Sequence, residues 1–87
     1  MISKDDIIGM CGLDPDEVEA IAEHEHIPEV AAAALADYLL HMSKGADTIR
    51  DMLVEDLRGA LDDDDHVHAR RLFMALRHFL NEHPEAA

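Results

Sequence analysis

Aromatic side chains are scarce in this chain of 87 residues: tryptophan is missing, and Tyr38, Phe73 and Phe79 are its only Phe or Tyr residues. A core without large rings is assembled from Leu, Ile and Met, and with 13 alanines among the apolar residues it buries modest side chains. Cysteine is reduced to Cys11, which excludes an internal disulfide and fits a reducing compartment, so a cytoplasmic protein is expected. The longest apolar run, residues 30–36, is far below the roughly 20 residues that cross a bilayer. No basic stretch followed by an apolar one opens the chain, so neither a membrane span nor a secretory leader is expected. Basic residues are the last shortage. Seven Lys and Arg stand against 20 Asp and Glu, a formal net charge of −13. Nucleic-acid binders draw most of their affinity from Lys and Arg on phosphates, so nucleic acid is not the expected partner; a protein is.

What is present reads as helix from end to end, and no segment alternates polar and apolar residues with the period of a strand. Ser3, with an acid three residues on and Ile2 placed to meet Ile7, opens a short helix over about residues 4–11, and Gly12 stops it. Asp14, Pro15 and Glu17 repeat the scheme for a second helix from Pro15 towards His24 or Glu25. Pro28 starts a third, to Met42, apolar nearly all round and therefore expected at the centre of the fold. Apolar positions at Ile49, Met52, Leu53, Leu57, Ala60 and Leu61 mark a fourth helix over residues 47–61. Four consecutive acids, residues 62–65, suit a helix start better than a helix end. They cap a fifth helix from His66 to His83, whose apolar stripe is Ala69, Leu72, Phe73, Leu76, Phe79 and Leu80. The expectation is one all-α domain over residues 1–87, a small bundle of four to five helices ending in an antiparallel αα-hairpin.

Charge is unevenly placed. Up to Ser43 there are ten acids and one base; from Lys44 onward there are ten acids and six bases. The last helix holds Arg70, Arg71 and Arg77 against Glu82 alone, with His66, His68, His78 and His83 in addition. Its basic flank, drawn through His66, Arg70 and Arg77, is expected to lie against the acidic second helix of the same chain or of a second copy.

Three clusters are candidates for chemistry. Glu19, Glu23 and His26 share one side of the second helix if it persists that far, and Glu23 to His26 has the Glu-x-x-His spacing of carboxylate-bundle metal ligands. Asp37 and His41, i and i+4 on the third helix, are expected to be buried and to satisfy each other. With the first three they make a ligand set for a divalent metal, assembled in a homodimer. No nucleophile accompanies Asp37 and His41, because Cys11, Ser3, Ser43 and Thr48 read as a small apolar residue or as helix ends; an enzyme is not expected. Asp56, at the edge of an apolar stripe, needs a partner, expected to be Arg70 or a His of the last helix. Finally, Val67 and Met74 form a second apolar strip on the last helix, bordered by Arg70, Arg71, Arg77 and His78, suited to contact with another chain.

The function that these features imply is an acidic protein-interaction or regulatory module, expected as a homodimer because so short a chain buries little alone. Metal binding through the Glu/His cluster and mimicry of nucleic acid by the acids are the alternatives.

Overall fold

A computed structural model describes residues 12–87; the expected helix over residues 4–11, its Ser3 cap and Cys11 lie outside the described residues. Within them the chain forms helices α1 (Pro15–Glu25), α2 (Glu29–Leu40), α3 (Gly45–Asp62) and α4 (His66–Glu82), then a 3-10 turn, Pro84–Ala86. The described residues contain no strand, and the fold class is all-α as expected.

Local chemistry sets the boundaries. Asp14 caps α1, its own N–H donating to the Glu17 carboxylate at 2.9 Å in a capping box, with Pro15 at the first helical position. The helix stops because His26 turns left-handed (φ 57°), and the N–H groups of His26 and Ile27 close back on the carbonyls of Glu23 and Ala22. Pro28, extended, precedes α2. At the head of α4, the Asp65 side chain accepts from the His68 N–H at 3.2 Å, so the last of the four acids is the cap.

α3 and α4 fold back on each other across residues 63–65. Their antiparallel course shows at the far end, where Arg50 near the start of α3 donates to the Ala86 carbonyl beyond α4 at 2.6 Å. The core lies between this hairpin and α1: Phe79, Ile21, Ile49, Leu53 and Val18 are its largest fully buried apolar side chains.

Two expectations about burial are corrected. α2 is not central: it packs on α1 and α3 but not on α4, and only Ala32, Ala33 and Ala36 are fully buried on it. Its alanines let neighbouring backbones approach on one side, while Val30 and Tyr38, and Met42 just past its end, face solvent. Phe73 is not in the core stripe of α4 but 50% exposed, one position beyond Leu72 and turned about 100° away from it.

The α2–α3 corner is tight enough to require glycine, since a Cβ on Gly45 would fall onto the Leu39 carbonyl. Gly45→Ala should therefore cost well over the few tenths of a kcal/mol of an ordinary surface change, and Phe79→Ala about 3–5 kcal/mol, in urea unfolding. A Gly45→Ala protein as stable as the parent would contradict this corner.

Candidate functional site

α1 is acidic and α4 is the helix richest in bases, and the two meet along a seam. Glu19 accepts from Arg71 at 2.9 Å, Glu23 faces His68 Nε2 at 2.6 Å, and Asp14 faces His78 Nε2 at 3.1 Å. Numbers rise on α1 as they fall on α4, so the helices run antiparallel, and roughly one pair is placed every one to two turns. The seam expected from the charge distribution is present within one chain, but the α4 side chains that meet the acids are His68, Arg71 and His78. Arg70 and Arg77, assigned to it from sequence, have no ion-pair partner among the described residues, and neither does His66.

At the end of the seam, where α1 begins, Glu17 is buried to 1% exposure although it is a carboxylate. One oxygen accepts the Asp14 N–H and lies 3.4 Å from His78 Nδ1; the other has no hydrogen-bond partner. Burial raises the Glu17 pKa above its ordinary value, against the lowering effects of the Asp14 N–H and of His78. Glu82 Oε1 approaches His78 Nε2 at 3.7 Å. Among the described residues, Asp14, Glu17 and His78 are the one group of three ligand-type side chains whose donor atoms all lie within 4.8 Å of one another.

The five metal candidates read from sequence are not gathered. Glu19 and Glu23 are engaged by α4, His26 forms the left-handed end of α1 instead of continuing its face, and Asp37 and His41 lie on α2. Asp37 and His41 are not buried: His41 is 78% exposed, and its Nδ1 contacts the Asp37 carbonyl at 2.7 Å, so mutual contact occurs at the surface. Asp56 does find a histidine, but it is His24 of α1 at 3.0 Å and not a group of α4. α1 thereby pairs with both limbs of the hairpin.

The two apolar residues of the contact strip expected from sequence are exposed. Val67 is 77% and Met74 53% exposed, and Phe73, 50% exposed, lies about 100° round the helix from Met74. Beside Met74 and Arg70 opens a groove between α1 and α4 of about 270 Å³, with Ala20, Leu72 and Ala75 in its lining. No protein-family model, curated protein or solved structure matches the chain, so the reading that follows rests on this geometry.

Two groups tie stability to pH. Burial pulls the His24 pKa down, but the hydrogen bond and charge of Asp56, with Glu55 and Glu25, outweigh it and leave it above the ordinary 6.5. A raised folded pKa means stability that is complete below the unfolded value and is lost as pH climbs through the folded one. Glu17, raised from 4.5, has the same sign over a lower window. Urea midpoints should therefore fall from pH 6 to pH 8, and fall less in Asp56→Asn; equal midpoints for the wild type would refute the coupling.

Proposed function

We propose that this is a cytoplasmic protein-contact module whose outer α4 face receives an acidic amphipathic segment of another protein. The observation that carries the reading is the make-up of that face. From His66 to Asn81 it presents Val67, Phe73 and Met74 to solvent among Arg70, Arg71 and Arg77, without one acid, in a chain of net charge −13. Val67 and Met74 on one side of a helix, flanked by Arg70, Arg71 and Arg77, fit a partner of complementary pattern, apolar on one side and acidic at the edges. The groove next to Met74 offers a recess for an anchoring side chain, and the arginines that α1 leaves unpaired are available to the partner's carboxylates. The lone cysteine supports the compartment, and no helix of the described residues is long and apolar enough to cross a membrane.

A photo-cross-linker placed at Met74, with Arg58 on α3 as the control position, tests this in cells. Adducts should form from position 74 to a protein carrying an acidic stretch. Arg70→Glu with Arg77→Glu should weaken the purified complex about tenfold or more without loss of helix. Equal adducts from both positions, or affinity indifferent to the two arginines, would sink the reading. The homodimer expected from sequence would use the same strip, and sedimentation decides: a 9.7 kDa particle puts the partner on a different chain, whereas twice that mass, halved by Val67→Asp, puts it on a second copy.

A further inference from the structure

α2 buries one side and leaves the other apolar and without charge. We propose that a second copy of this chain covers that outer face, α2 against α2 and antiparallel about a two-fold axis.

The face follows from the helical turn. Residues three and four apart share a side, and the line through Ala31, Ala34, Tyr38 and Met42 lies opposite the buried Ala32, Ala33 and Ala36. All four are exposed, Tyr38 to 63% and Met42 to 47%, with Val30 at the edge of the line 40% exposed. Among the described helices α2 packs on α1 and α3 alone, on the side of its buried alanines. A helix apolar on both sides is one that another surface covers.

Charge selects the occupant. Residues 30–36 carry none, in a chain that is 31% charged, and Asp37 stands at the edge of the face with His41 beside it at 3.7 Å. Two copies of a chain of net charge −13 repel over most of their surface, and the arginines of α4 repel their own mates. A neutral face is where like meets like in a two-fold contact. Interface centres are poor in charge and rich in Tyr and Met, which is the make-up of this one.

Shape selects the orientation. Ala31 and Ala34 stand before the middle of α2, and the bulky Tyr38 and Met42 after it. In a parallel pair Tyr38 would stand against Tyr38 and Ala31 would face Ala31 across a gap. Reversed about the middle of the helix, Tyr38 of each copy lies over Ala31 of the other, and Ala34 lies opposite half-buried Leu35. A helix of 12 residues offers a contact about 18 Å long, shorter than a standard interface, so the dimer is weak, with a dissociation constant on the order of 10–100 µM. The α4 strip stays free in this pair, so the inference does not rest on the acidic partner proposed for α4.

The test is sedimentation of the full chain over about 10–500 µM, a range that brackets that constant. The mass should rise from 9.7 kDa towards twice that value. Tyr38→Glu and, separately, Ala34→Glu should each weaken association about tenfold or more by setting like charges at the two-fold axis. Both positions are exposed, and circular dichroism confirms that the variants fold. Val67→Asp should associate as the wild type does. Raising sodium chloride from about 0.05 to 0.5 M should strengthen the dimer about threefold or more, because it screens the repulsion between two acidic chains, whereas a contact through arginines would weaken. In a Cys11→Ser background, a short thiol cross-linker should join copies carrying Ala34→Cys but not Ala31→Cys, whose mates are about 10 Å apart along the helix axis. A 9.7 kDa particle at every concentration, a dimer dissolved by Val67→Asp and not by Tyr38→Glu, weakening by salt, or equal cross-linking at positions 31 and 34 would each overturn the proposal.

Discussion

Cations are the limiting resource of this chain, and where they stand decides how its helices face one another. With 20 acids and seven Lys or Arg, most carboxylates can meet only water or a histidine. Three of the five arginines and four of the seven histidines lie between His66 and His83, so the last helix is the surface on which an acidic helix rests with least repulsion. α1 takes that place, antiparallel, through Glu19 with Arg71, Glu23 with His68, and Asp14 with His78. Exposed pairs of this kind contribute only about 0.2–1 kcal/mol each, so they choose the orientation of α1 while apolar burial supplies the stability. Because α1 engages one edge of α4, the opposite side of that helix keeps its arginines and its exposed apolar residues.

A core poor in rings depends on close approach. Among the described residues, ten of the 18 buried apolar side chains are alanine, which fill space only where backbones come near, as at Ala32, Ala33 and Ala36 of α2 and at the Gly45 corner. Phe79, fully buried and stacked on His83 at a ring separation of 4.7 Å, is the largest piece of the core and ties α4 to the turn that follows it. That turn is held in place by Arg50 through the Ala86 carbonyl, so one more of the scarce cations closes the open end of the hairpin.

Features governed by neighbouring residues were legible in the sequence. The Asp14 and Asp65 caps, the break at Pro28 and the α3–α4 turn follow from side chains within four positions of one another. Periodicity was legible only in part: the alanine run of α2 looks apolar on every side, yet alanine is small enough to lie at a surface, and this is why Asp37 and His41 were expected inside and are found outside. Charge complementarity was readable at the level of helices but not of residues, because the rotation of α4 under α1 selects Arg71 over Arg70. The left-handed turn at His26 removed that side chain from the face of Glu19 and Glu23. The cluster of Asp14, Glu17 and His78 joins positions more than 60 apart, and nothing local to Asp14 or His78 points to the other.

The central claim is that the orientation of α1 on α4 is chosen by charge, and a charge-swap cycle at Glu19 and Arg71 measures it most directly. Glu19→Arg alone and Arg71→Glu alone should each lower the urea midpoint at low salt, by placing like charges at a pair now 2.9 Å apart. The double swap should recover most of the loss, with a coupling of about 0.5–1 kcal/mol that shrinks in high salt. Strictly additive losses, indifferent to salt, would contradict the account.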